Sequence, residues 1–132
     1  MVMAASVANL NAMRDEKVID NVARNGEGLR RRLLDLMAAH DVVMEVRGTG
    51  YLYALALGRS RTAGDDYTAE ESARVVNQVV PPIALEEGLH LRVDNRGGPK
   101  IMISPPLIAG PEELDEMGVR VSRVLDRLAG EI

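Results

Sequence analysis

The chain has 132 residues, a formal net charge of −4 and no cysteine. A chain of this size makes one domain and buries roughly two-thirds of its unfolded surface. Disulfides, thiolate metal sites and cysteine nucleophiles are excluded. An acidic balance with three Tyr, no Phe and no Trp argues against a nucleic-acid partner, which would need basic patches or stacking platforms. Of the sixteen basic residues only Lys17 and Lys100 are lysines. No apolar run approaches a membrane span, and nothing reads as a signal peptide. These features predict a soluble, cytoplasmic protein.

Residues 1–14 place Val2, Met3, Ser6, Val7, Leu10 and Met13 at helical spacing, without an N-cap or a lead-in. The segment reads as the tail of a longer helix. Residues 16–39 form a long amphipathic helix, with Val18, Ile19, Val22, Leu29, Leu33, Leu36 and Met37 on the apolar side. Arg30, Arg31 and Arg32 fan around its axis and read as a solvated face. His40 falls at the helix C-terminus, where partial positive charge is favourable.

Residues 42–47 and 50–57 read as strands around Arg47-Gly48-Thr49-Gly50. A dinucleotide fingerprint needs a third glycine and a helix directly afterwards. A strand follows here, so the glycines serve a backbone bend or a close approach. Residues 58–67 make a polar loop whose Asp65 and Asp66 are read as solvated. Thr68 and Glu71 form a capping box that opens a helix to about Val80. Pro81 and Pro82 predict a kink, or a short second helix over Ile83–Glu87, with Gly88 as its C-cap.

Leu89, Leu91 and Val93 alternate with His90, Arg92 and Asp94, and Ile101 and Ile103 alternate with Lys100, Met102 and Ser104. Asn95-Arg96-Gly97-Gly98-Pro99 between them is a turn cluster. A β-hairpin follows, ended by Pro105 and Pro106, with strand 89–94 antiparallel to 100–104 and Arg92 turned away from the core. A guanidinium there is a planar fork suited to a carboxylate. Gly110-Pro111-Glu112-Glu113 then opens a last helix, with Leu114, Met117, Val121, Val124, Leu125 and Leu128 as its buried stripe. The predicted fold is α+β, with helices packed on one face of a small, mostly antiparallel sheet.

Three stretches carry a resemblance: Val46-Arg47-Gly48-Thr49-Gly50, the Gly-Leu-His-Leu-Arg run ending at Arg92, and Ser-Pro-Pro-Leu-Ile before the last helix. Together they resemble the small C-terminal domain of class III pyridoxal-phosphate-dependent aminotransferases of the ω-transaminase type, within fold-type I. The resemblance implies a homodimeric parent enzyme that moves an amino group between an amine or amino acid and a keto acid. Arg92 would recognise the substrate carboxylate, with His90, Arg47, Gly48 and Gly50 as neighbours of the substrate channel. Residues 1–15 would be the tail of an inter-domain helix and 16–132 the small domain. The cofactor lysine would lie in a large domain preceding residue 1, since neither Lys17 nor Lys100 has its setting. The 132 residues alone would then form no Schiff base and have no activity. The resemblance does not separate aminotransferases from family decarboxylases or aminomutases. The alternative reading is a free-standing, non-catalytic α+β module that binds a small acid or mediates association.

Overall fold

A computed structural model describes residues 2–131, without the side chain of Val2, so that part of the expected first stripe lies outside the described residues. Its elements are helices α1 (Val2–Asp15) and α2 (Val18–Ala39), strands β1 (Val43–Thr49) and β2 (Leu52–Leu57), helices α3 (Ala69–Arg74) and α4 (Val80–Glu86), strands β3 (Arg92–Asp94) and β4 (Lys100–Ile103), and helix α5 (Pro111–Glu131). The strands form one antiparallel sheet in the order β1-β2-β4-β3.

Side chains alternate along each strand, so the sheet has two unlike faces. Tyr53, Leu55 and Leu57 of β2 and Ile101 and Ile103 of β4 are buried. They share one core with Leu29, Leu33 and Leu36 of α2 and with Leu114, Val121, Val124, Leu125 and Leu128 of α5. The fold class and the α5 stripe are as the sequence predicts, with Met117 half-buried. Among the described residues no helix covers the opposite face: Leu52 is exposed there, and Ala54, Ala56 and Met102 are half-exposed.

The helical region differs in three places. Lys17 adopts the left-handed conformation, φ 52°, and separates α1 from α2. The expected helix over 16–39 therefore begins at Val18, and Ile19, assigned to its apolar stripe, is exposed. The α1 residues Met3, Val7 and Leu10 are exposed as well. Arg32 is not simply solvated, because it pairs with Asp115 of α5.

Thr68 and Glu71 make the predicted reciprocal capping box at α3. The expected short second helix is present as α4, which begins at Val80 and not at Ile83. Residues Val75–Val79 widen into one π turn, in which the Val80 N–H donates to Val75 O. The prolines fall in the first turn of α4, immediately after the π turn. At its end Gly88, φ 74°, donates to Leu85 O and Leu89 to Ala84 O, a Schellman closure that turns the chain toward β3.

Candidate functional site

β3 occupies the second half of the 89–94 stretch, Arg92–Asp94. Its pairs with β4 are Arg92↔Met102, Val93↔Ile101 and Asp94↔Lys100. Continuing that register would set His90 against Ser104 and Leu89 against Pro105, and proline has no N–H to donate. The two chains part at this point. A hollow of ≈ 250 Å³ opens beside them, its lining including His90, Leu91, Arg92, Met102, Ser104 and Met117.

Residues 105–109, of which Pro105, Pro106 and Ala109 line the hollow, are held down by side chains distant in sequence. Asn21 Nδ2 of α2 donates to Leu107 O (2.9 Å) and Ala109 O (2.8 Å), and Tyr51 Oη donates to Ala109 O (2.8 Å). Asn25 Nδ2 in turn donates to Asn21 Oδ1 (2.9 Å), which fixes the Asn21 amide. Glu113 caps α5 by accepting from Gly110 N (2.8 Å).

Arg92 lies on the open face with its side chain 66% exposed. Its Nη2 donates to Asp94 Oδ2 at 3.0 Å. Asp94 is held chiefly by Arg96: the Arg96 backbone N–H (2.7 Å) and Nη2 (2.6 Å) both donate to its carboxylate. These Arg96 hydrogen bonds keep the Asp94 carboxyl well below the usual carboxylate range. The Arg92 guanidinium is therefore exposed, lightly engaged and next to an apolar hollow.

The other predicted site residues are only partly brought together. His90 shares the hollow with Arg92. Arg47 stands in the same cross-sheet row, through Arg47↔Ala54, Ala54↔Met102 and Met102↔Arg92. Three strand spacings separate their backbones by roughly 14 Å, and Arg47 pairs with Glu45 at 3.2 Å. Gly48 and Gly50 lie at the opposite edge of the sheet from Arg92. A Cβ on Gly48 (φ 147°) would stand 2.1 Å from Leu52 O, and one on Gly26 of α2 would meet Gly50 Cα at 3.3 Å. Their evident task is close backbone packing of the β1–β2 turn on α2.

Asp94, Arg96 and Asn21 did not emerge as site residues from the sequence. Asp94 was within reach of such a reading, because it stands two residues from Arg92 and so on the same strand face. Asn21 reaches a loop more than eighty residues away, and no local signal announces that.

Comparison with known proteins decides the family. The profile of the aminotransferase class-III family matches residues 1–125. The chain belongs to the class-III aminotransferases. It is 34% identical over 122 residues to a Mycobacterium tuberculosis protein named "Probable aminotransferase", covering 92% of this chain and 26% of that protein. It is 31% identical over 133 residues to the putrescine–pyruvate aminotransferase of Pseudomonas aeruginosa, covering 98% of this chain and 27% of the relative. A transaminase structure from work on directed evolution by ancestral reconstruction superposes with a TM-score of 0.85 at 31% identity, over 98% of this chain and 27% of the other. The ω-transaminase of Pseudomonas jessenii in complex with PMP superposes with a TM-score of 0.77 at 27% identity, over 94% of this chain and 26% of the other. The class-III chain thus spans about a quarter of the length of the curated relatives it matches. No described helix is long and apolar enough to cross a membrane.

Proposed function

We propose that these residues are the small C-terminal domain of a cytoplasmic, homodimeric class-III aminotransferase, and that Arg92 recognises the carboxylate of its keto-acid or amino-acid substrate. The observation that carries the proposal is the exposed Arg92 fork, with one hydrogen bond among the described residues, on a residue that lines a mostly apolar hollow. A guanidinium in that setting offers a carboxylate two parallel charge-assisted bonds, while the hollow takes an apolar substituent. At ≈ 250 Å³ the hollow is smaller than an ordinary small-molecule site. It would be completed by other parts of the enzyme, against which the exposed apolar side of α1 (Met3, Val7, Leu10) would also pack. His90 would border the carboxylate. Arg47, Gly48 and Gly50 would act at a greater distance, on the far strand.

The family's cofactor is pyridoxal phosphate, which supplies the electron sink for amino transfer. The lysines present do not fit it. Lys100 Nζ is engaged as a donor to Arg96 O (2.5 Å) and Gly98 O (2.7 Å), and Lys17 is exposed at the α1–α2 break. The proposal therefore assigns this chain no step on the cofactor. The cofactor lysine belongs to a large domain that these residues do not include.

In the full-length enzyme, Arg92→Ala should lower kcat/KM for a keto acid by about ten- to a hundredfold, the worth of one contact to a charged group. Turnover of a simple amine should change little. Equal losses on both substrates would make Arg92 structural and end the proposal.

A further inference from the structure

Asp94 and Arg96 have no part in carboxylate recognition as stated so far, yet their geometry bears directly on Arg92. Asp94 follows Arg92 by two residues on the same strand face, and its side chain is only 11% exposed. Five hydrogen bonds reach its carboxylate, and four come from Arg96. The backbone N–H (2.7 Å) and Nε (3.2 Å) of Arg96 donate to Oδ1, and its Nε (3.0 Å) and Nη2 (2.6 Å) donate to Oδ2. Arg92 supplies the fifth, from Nη2 to Oδ2 at 3.0 Å.

The asymmetry has a consequence for binding. Removing the only partner of a largely buried carboxylate strands a charge and costs heavily. Arg92 is not the only partner. If it leaves, Asp94 keeps three donor groups of Arg96, the backbone N–H, Nε and Nη2, and remains satisfied. Arg92 is therefore held by a bond that is favourable but easily exchanged. The carboxylate that holds it is also of the same chemical kind as the group a substrate would bring. With Arg96 depressing its affinity for protons, Asp94 stays ionised through the neutral range.

Resting on the reading of Arg92 given above, we infer that Asp94 is an internal competitor for the substrate carboxylate, a positioning residue that occupies one edge of the Arg92 fork until a substrate carboxylate displaces it. Arg96 sets the strength of that competition by drawing the Asp94 charge toward itself. Specificity for carboxylate-bearing substrates is then tuned by the Asp94–Arg96 pair as well as by Arg92. An anionic substrate must beat Asp94, whereas a substrate without a carboxylate leaves the Arg92–Asp94 bond intact.

The two partners give effects of opposite sign, which a structural role cannot imitate. In the full-length enzyme, Asp94→Asn removes the competing charge. KM for pyruvate should fall about two- to fivefold, the worth of an exposed ion pair. Its kcat, and the KM of a simple alkyl amine, should stay in place. Arg96→Gln leaves Asp94 with Arg92 as its only cationic side-chain donor on this hairpin, so KM for pyruvate should rise by a similar factor. Asp94→Glu should restore most of the wild-type value. If Asp94→Asn fails to fold, Arg96→Gln carries the test, since its side chain is 81% exposed.

Shifts of the same sign in both variants, no shift in pyruvate KM, or equal losses on both substrates would overturn the inference. Failure here is separable from failure of the Arg92 reading. If Arg92→Ala is selective for keto acids while the Asp94 and Arg96 variants leave KM unmoved, only the competition is wrong.

Discussion

The two edge strands of the sheet are built for different purposes. β1 has seven residues and pairs with β2 almost end to end, from Val43↔Leu57 to Thr49↔Leu52, through one bulge. The turn that follows is fixed by backbone contact: Gly48 lies against Leu52 and Tyr53, and Gly50 against Gly26 of α2. β3 has three residues and three pairs, and then the ladder stops. Its end is defined by side chains, with Asn21 and Tyr51 holding the loop opposite. A long, glycine-locked edge resists change because no atom there can move alone. The short β3 edge has a hollow beside it and an arginine lightly held.

This contrast can be broken most severely at Gly48. Gly48→Ala would place Cβ 2.6 Å from Tyr53 Cα as well as against Leu52 O, and both neighbours are backbone. A loss of about 3 kcal/mol or more is expected, in the class of strained or overpacked sites. Urea denaturation measures it, and a loss under 1 kcal/mol would show that the β1 edge is more yielding than described.

At the β3 edge the largest expected change is smaller. Asn21→Ala removes two donors from the 105–109 loop, but Tyr51 still serves Ala109 O. About 1–2 kcal/mol should be lost. Faster amide exchange should appear in residues 105–109 and not in β1, which hydrogen exchange followed by NMR would read.

An acid titration sharpens the comparison further. The folded-state pKa of Asp94 is depressed, chiefly by Arg96 side-chain hydrogen bonds. Its contribution is therefore fully present above the unfolded value of about 3.9 and fades as the pH falls below that toward the folded value. The amide shifts of residues 92–96 follow the folded-state carboxyl, so they should hold steady through the ordinary carboxylate range around pH 4. Below that they should move, and in Asp94→Asn the movement should vanish. Movement centred near pH 4, where an unperturbed carboxyl titrates, would contradict the depressed carboxyl.

The smallest effect concerns Arg92. As an exposed side chain with one hydrogen bond, its change to Ala should alter stability by less than about 0.5 kcal/mol. A thermal or urea melt would check this. A large loss would turn the lightly held arginine into a structural one.

Local rules wrote the parts that local forces decide. Alternation and the Asn95–Pro99 turn placed the β3–β4 hairpin and turned Arg92 off the core side. The Thr68–Glu71 pair placed a helix start, and the 3.6-residue stripe of α5 named its buried residues before any tertiary contact was known. These signals are legible because the forces behind them act within a few residues. The motif around Arg92 and the Gly48–Gly50 turn also pointed to the family.

What the sequence left open needed distances across the chain. Leu89 and Leu91 keep strand alternation, yet both lie outside the ladder, and for Leu89 the partner would be Pro105, a pairing only the register reveals. The order β1-β2-β4-β3 sets Arg47 and Arg92 in one row at opposite edges, although both belong to strand–turn motifs of the same family. Ile19 fits a helical stripe and is exposed because the left-handed Lys17 breaks the helix just before it. Arg32 finds Asp115, and Asn21 finds the carbonyls of Leu107 and Ala109. Composition and periodicity determine which face of an element is buried. Which elements meet, and which polar groups satisfy one another across the gap, is decided only when the whole core closes.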